Sequence, residues 1–153
     1  MPSDACEICR RISSFSDDNP YFVSELSTGY ALLADSQYYP GYSLFVSRLC
    51  VPELHELPAG VRTPFLQEMA LVAEAVCRAF QPRKLNYEML GNSVAHLHWH
   101  LIPRSADDPN PRFPAWSNPA FLDAPRLTPV EPAVLRDRRD RLRRALVELR
   151  GEA

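Results

Sequence analysis

Three histidines at alternate positions, His96, His98 and His100, stand in the stretch HLHWHLIPR, and a Cys-x-x-Cys pair, Cys6 and Cys9, stands far upstream. Imidazole titrates nearest neutral pH of all side chains and serves as metal ligand, nucleophile or proton carrier. In a β-strand, residues two apart point to one face and lie about 6–7 Å from each other. The three histidines therefore share a face, while Leu97, Trp99 and Leu101 turn to the other and supply a core. Three imidazoles side by side make poor packing, because each needs hydrogen-bond partners when buried and each opposes protonation of the next. Two chemistries use such a row. Alternating histidines can present nitrogens to zinc. Alternatively, one neutral imidazole attacks an electrophile such as phosphorus while its neighbours orient it and bind the charged oxygens. Spacing alone leaves both open.

The elements that must hold this row are readable from periodicity. YFVSEL (21–26) and YALLAD (30–35) are β-rich runs joined by Ser27-Thr28-Gly29, a hairpin signature, and SLFVS (43–47) follows the turn-prone Pro40-Gly41. From Thr63 to Phe80, apolar residues recur at three- to four-residue steps, which predicts a helix with Thr63 as N-cap, Pro64 in the first turn and an end at Gln81-Pro82. KLNYEML (84–90) and the histidine run read as strands about a Gly-Asn-Ser turn. A last amphipathic helix is predicted over 131–150, its apolar side set by Leu135, Leu142, Leu146 and Leu149 and its arginine-rich side read as a solvated face. Residues 105–130 are Pro-rich and predict an extended segment. The order predicts a single α+β domain over 1–153: a mainly antiparallel five-stranded sheet with one long central helix and a C-terminal helix.

Composition sets the outer bounds. A chain of 153 residues with 46% hydrophobic residues buries one good core, and a net charge of -2 gives no general case for nucleic acid or an anionic membrane. Neither a signal peptide nor an apolar run of membrane-spanning length is evident, so the expectation is a cytoplasmic protein. There Cys6, Cys9, Cys50 and Cys77 are expected to be reduced, which favours metal ligation over disulfides for the close pair. A redox role for Cys6-Glu7-Ile8-Cys9 would want a thioredoxin-like βαβ context that is missing.

Residues around the row choose between the two chemistries. Asn86, then Gly91-Asn92-Ser93-Val94, then His-x-His-x-His with Leu-Ile-Pro-Arg, resembles the histidine triad family of nucleotide hydrolases and transferases. Upstream, YALLADSQYYPGYSLFVSRLCVPELHEL is similar to that family's run from a ribose-binding strand through Pro-Gly into the next strand, so the resemblance covers about residues 5–104. It implies that His98 is the nucleophile at the α-phosphorus, forming a nucleotidyl-histidine that water resolves to a nucleoside monophosphate. It further implies that His100 contacts phosphate oxygens and that the carbonyl of His96 accepts a hydrogen bond from the nucleophile's other nitrogen. Ser93 and Asn86 then donate to the phosphate or leaving group, and Asp35 serves the ribose hydroxyls. Dinucleoside polyphosphates and nucleoside phosphoramidates are the implied substrates, and a homodimer is the implied assembly. Two positions depart from the pattern: Tyr42 stands where His usually follows Pro-Gly, and Asn92 where Gln is common, both at substrate-binding positions. Some family members bind structural zinc through a Cys-x-x-Cys pair, an upstream histidine and the first triad histidine. On this chain the upstream position falls on Cys50, so Cys6, Cys9, Cys50 and His96 are the expected zinc ligands, with His55 the rival for the fourth place. The alternative function is a zinc-stabilised nucleotide-binding or regulatory module with little catalysis, and for Trp116 a base-stacking role stands beside that of a packing anchor.

Overall fold

The computed structural model describes residues 6–127 and 129–152. One sheet holds β1 (Phe22–Glu25), β2 (Gly29–Leu33), β3 (Ser43–Ser47), β4 (Lys84–Glu88) and β5 (His98–Arg104) in the order β1-β2-β3-β5-β4, every neighbouring pair antiparallel. Four α-helices accompany it: α1 (Glu7–Ile12), α2 (Ala59–Phe80), α3 (Pro119–Leu127) and α4 (Pro132–Glu152). This is the α+β architecture expected, with α2 as the long central helix and α4 as the C-terminal one. No described helix is long and apolar enough to cross a membrane.

Strand alternation divides the sheet into a core face and a site face. Ala31, Phe45 and Trp99 lie in one transverse row, and Leu33, Ser43 and Leu101 in the next. These rows meet α2 and α4, where the Phe45 ring stacks on Phe65 at 4.9 Å and Leu97 and Leu101 join the same core. Each large apolar side chain sealed there contributes about 1.5–3 kcal/mol. The same alternation turns the intervening residues the other way. Leu32, Leu44, His100 and Glu88 form one row of the site face, flanked by Val46 with His98 on one side and Ile102 with Asn86 on the other.

Two expectations about helices need correction. Helix α2 begins at Ala59 with Pro58 as its N-cap, four residues before Thr63, and Pro64 lies inside it. Pro64 lacks an N–H for its first-turn neighbour Gly60, but the turn is tied down otherwise. Val61 and Arg62 both donate to the Pro58 carbonyl at 2.9 Å, and the Arg62 guanidinium reaches back to the carbonyls of His55 and Leu57. Nor is the segment 105–130 extended throughout, since α3 occupies Pro119–Leu127 after a short 3-10 turn at Ala115–Ser117. Asn118 starts α3 by accepting the Ala120 N–H at 3.1 Å, and Pro119 supplies a fixed φ where no donor is needed.

The arginines of α4 do more than meet solvent. Arg143 donates to the carbonyls of Val23 and Phe22 at 2.9 and 3.0 Å, Arg138 to that of Gln37, and Arg141 to that of Ala79 at the end of α2. They satisfy backbone acceptors that the sheet edge and loops leave over.

Arg104, the last residue of β5, fastens the Pro-rich segment onto the site face. Its guanidinium is 4% exposed and pairs with the buried carboxylate of Asp108. It also donates to Asn86 Oδ1 at 2.7 Å, to the Phe113 carbonyl at 2.9 Å and to the Asn110 carbonyl at 2.8 Å, and it lies over the Tyr39 ring. The segment so held brings Ala115 and Phe121 into a second small core with Tyr39, Tyr42 and Ile102. Removing one partner of a buried ion pair strands the other, at a cost of about 3–5 kcal/mol. Arg104→Met is therefore expected to lose about that much stability in urea unfolding and to expose Trp116 to fluorescence quenchers, whereas a loss under about 1 kcal/mol would show that the segment is held by its apolar contacts alone.

Candidate functional site

His98 sits on the site face of β5 opposite Val46, 8% exposed. Its Nδ1 lies 2.6 Å from the carbonyl of His96. A carbonyl only accepts, so Nδ1 carries the proton, and a neutral ring then has its lone pair on Nε2. That nitrogen lies 3.0 Å from Nε2 of His100, whose Nδ1 is 2.6 Å from the Tyr42 hydroxyl. Burial, and after it the charge of His98, holds His100 down at about 4, so it is neutral at physiological pH. Burial and then the carboxylates of Glu88 and Asp35 push the Tyr42 phenol above its usual range, so it keeps its proton.

His98 forms part of two pockets. On one side is an apolar cavity of about 150 Å³ between the sheet and α1, lined by Leu32, Leu44, Val46, Ile8, Phe15 and Arg11. Asp35 stands near it as the partner of Arg11, in a two-pronged ion pair at 2.7 and 3.2 Å, and is well exposed. On the other side is a cavity of about 260 Å³ formed by the loop Leu90–Val94 with His98, His100 and Trp116. Asn92 and Ser93 both line this second pocket. Asn86 shares the site face, but Arg104 occupies its Oδ1, so what it offers a ligand is the Nδ2 donor.

Sequence reasoning passed over three neighbours. Glu88 pairs with His100 across the β4–β5 ladder and accepts the indole N–H of Trp116. Trp116 in turn meets His100 edge-on at 5.4 Å, which makes it a wall of the second pocket and a packing anchor. The alternation Lys84, Asn86, Glu88 put Glu88 on the same face as Asn86 and could have flagged it. Arg104 closed the quoted histidine stretch without being given a role, and Arg11 followed the Cys-x-x-Cys pair.

The cysteines meet the first histidine. Cys6 caps α1, Cys9 lies in its first turn, Cys50 follows β3, and the thiols with His96 Nδ1 all lie within 4.8 Å of one another. His96 is 1% exposed, and its Nε2 donates to the Ser47 carbonyl at 2.7 Å, which leaves the Nδ1 lone pair facing Cys6 and Cys9 Sγ at 3.5 Å each. Tetrahedral zinc, with bonds of about 2.3 Å to sulfur and 2.0–2.1 Å to nitrogen, sets sulfur and nitrogen about 3.5–3.6 Å apart. The donors fit that ion. Proton affinities in the cluster diverge. For Cys6, hydrogen bonds from Cys9 and Cys50 outweigh the upward push of burial, whereas burial and the neighbouring thiols drive Cys50 up to about 11. A divalent cation would relieve that crowding of sulfurs. His55 lies elsewhere, exposed in the turn Leu54–Glu56, and Cys77 is a partly buried neighbour of the main core.

Comparison with known proteins identifies the fold and the family. The family model described as the HIT domain matches residues 19–107, more than half of the chain. A histidine triad protein from Marinobacter aquaeolei VT8 superposes with a TM-score of 0.73 at 24% identity, over 92% of this chain and 95% of that one. One from Sinorhizobium meliloti 1021 gives 0.70 at 25% identity, over 87% and 91%. A histidine triad family protein from Mycobacterium smegmatis, itself zinc-bound, gives 0.69 at 17% identity, over 97% and 98%. Among curated proteins no sequence matches. The matched residues run from before β1 to just past β5 and include all three histidines, and the chain belongs to the histidine triad family.

Proposed function

We propose that this chain is a nucleotide-phosphate hydrolase that works through a nucleotidyl-histidine on His98. The observation that carries the reading is the 2.6 Å hydrogen bond from His98 Nδ1 to the His96 carbonyl, which leaves the lone pair of the neutral ring on Nε2 and supports that atom as the one that attacks. In the first step, Nε2 bonds to the α-phosphorus and the bond to the leaving group breaks, its electron pair departing with that group. In the second, water bonds to phosphorus and gives up one proton, which balances the proton gained by the departed leaving group; the phosphorus–nitrogen bond breaks with its electron pair returning to Nε2, and a nucleoside monophosphate leaves with His98 restored. Splitting the displacement lowers each barrier. Substrates of this class are dinucleoside polyphosphates and nucleoside phosphoramidates.

The apolar cavity beside β2 and α1 suits base and ribose, with Asp35 at the ribose hydroxyls. The loop cavity suits the phosphate and leaving group, with Ser93 and Asn92 as donors, His100 on a phosphate oxygen and the Nδ2 of Asn86 as a further donor. Tyr42, expected at a substrate-binding position, has its hydroxyl 2.6 Å from His100 Nδ1 and would act on substrate through that ring. Cys6, Cys9, Cys50 and His96 would hold zinc, which when bound supplies charge neutralisation and a cross-link; four protein ligands close its shell, so the role is structural. A reducing, cytoplasmic setting is the one that would keep Cys6, Cys9 and Cys50 available as thiolates for zinc. Exposed Tyr87 on the edge strand β4, with exposed Leu90 in the loop just beyond it, supports a homodimer. A second reading, a zinc-stabilised nucleotide-binding module with little turnover, draws on the His100 ring that meets the nucleophilic nitrogen at 3.0 Å.

Hydrolysis of diadenosine tetraphosphate and of an adenosine phosphoramidate tests these readings. His98→Asn is expected to lower turnover by about 10³-fold or more with nucleotide binding retained. Binding by the wild type without turnover would favour the module. Metal analysis is expected to find one zinc per chain, lost in Cys9→Ser together with thermal stability; zinc-free protein with an unchanged melting temperature would remove the metal from the account. The reading also requires a neutral His100. A base whose folded proton affinity is depressed destabilises the fold as pH falls below its unfolded value of about 6.5, and the effect levels off near the folded value. With that folded value at about 4, the melting temperature is expected to fall between pH 6.5 and 4, and less steeply in His100→Asn; parallel profiles would place the charge-sensitive group elsewhere.

A further inference from the structure

His98 and His100 face each other nitrogen to nitrogen, with 3.0 Å between their Nε2 atoms. A contact that close needs one proton in it, because two bare lone pairs there repel. Two neutral imidazoles carry two protons for four nitrogens. The proton of His98 is committed to the His96 carbonyl at 2.6 Å, so the proton between the rings belongs to His100 Nε2. Nδ1 of His100 is then bare, and it faces the Tyr42 hydroxyl at 2.6 Å. If Tyr42 accepted instead of donating, His100 would be protonated on Nδ1, its Nε2 would be bare against the bare Nε2 of His98, and the phenol proton would lose this acceptor.

From this geometry we infer that Tyr42 is a positioning residue: its hydroxyl donates to His100 Nδ1 and so fixes His100 as the tautomer that presents an N–H to the reacting centre. Resting on the hydrolase reading, this gives the departure from the family's usual histidine a function. A phenol buried and kept protonated has a proton to give and no basic lone pair to compete for the one on His100, whereas an imidazole in its place could serve either way. Before substrate binds, the Nε2–H of His100 rests on the nucleophile's lone pair. With substrate present, the same N–H turns to a phosphate oxygen, which releases the lone pair of His98 for attack. No proton need change its ring.

Tyr42 is held well enough for such a role. Gly41 has φ +86°, a conformation suited to glycine, and a Cβ there would collide with the Phe80 ring. Gln37 bridges the turn, its Nε2 donating to the Tyr42 carbonyl at 2.8 Å and its Oε1 accepting the Gly41 N–H at 3.1 Å. The ring is 4% exposed and packs on Phe121 at 5.7 Å.

The test combines imidazole ¹⁵N NMR with kinetics on the full chain. In wild-type protein the spectrum is expected to show His100 protonated on Nε2, with Nδ1 shifted as a hydrogen-bond acceptor. In Tyr42→Phe that acceptor shift is expected to vanish and the tautomers to mix. Turnover of an adenosine phosphoramidate is expected to fall about 10- to 100-fold with KM little changed. Fluorotyrosine at position 42, a stronger donor, is expected to retain both the acceptor shift and the turnover, which a merely space-filling ring would not require. A wild-type His100 protonated on Nδ1, or a Tyr42→Phe variant with unchanged tautomer and unchanged turnover, would overturn the inference. Failure of the hydrolase reading is separable, because the tautomer and its dependence on Tyr42 are read without any substrate.

Discussion

One backbone carbonyl, that of His96, is the constraint on which the site depends. By accepting the Nδ1 proton of His98 it decides which nitrogen of that ring is bare, and every later assignment follows from it. The bare Nε2 must receive from His100, and His100 must then receive from Tyr42. The chain of donors starts at a phenol and ends at an amide oxygen, without a charged group in it. Such a line of neutral donors leaves a lone pair on Nε2 of His98, the atom that the proposed reaction requires.

The carbonyl is itself held by what surrounds its residue. The His96 side chain is fastened at both ring nitrogens, Nε2 to Ser47 at the end of β3 and Nδ1 to the sulfurs of Cys6 and Cys9. On either side, Leu97 exchanges backbone hydrogen bonds with Ser47 and Val51. The sulfur cluster is thus a support for the peptide that orients His98, at a distance from the pockets on the site face. Across the sheet, the core under Phe45 and Leu101 fixes the strand from below, and the segment pinned by Arg104 closes the site face from the side of Ile102.

Legibility in the sequence followed the range of the interaction. Alternation along HLHWHLIPR placed the histidines on one face and Leu97 and Leu101 in the core, because strand geometry is local. The apolar steps of α2 and α4 were legible for the same reason. Only likeness to a family brought Cys50 to Cys6, Cys9 and His96, since sequence separation says nothing about which loop meets which helix. The fourfold hold of Arg104 on Asp108, Asn86, Phe113 and Asn110, and the contact of Glu88 with Trp116, depend on where a Pro-rich segment comes to lie. No period encodes that. The true start of α2 was hidden by Pro64, whose preference for the first turn is a statistical tendency that the carbonyl contacts of Arg62 override.

The most direct measurement is the position of the covalent intermediate. An adenosine phosphoramidate turned over by the protein, quenched within a single cycle and analysed by mass spectrometry and ³¹P–¹⁵N correlation, locates the nucleotidyl group atom by atom. The account predicts an adduct on Nε2 of His98, with Nδ1 of the same ring still protonated. A nucleotidyl group on Nδ1, on another residue, or an intermediate absent from a protein that turns over substrate would contradict it.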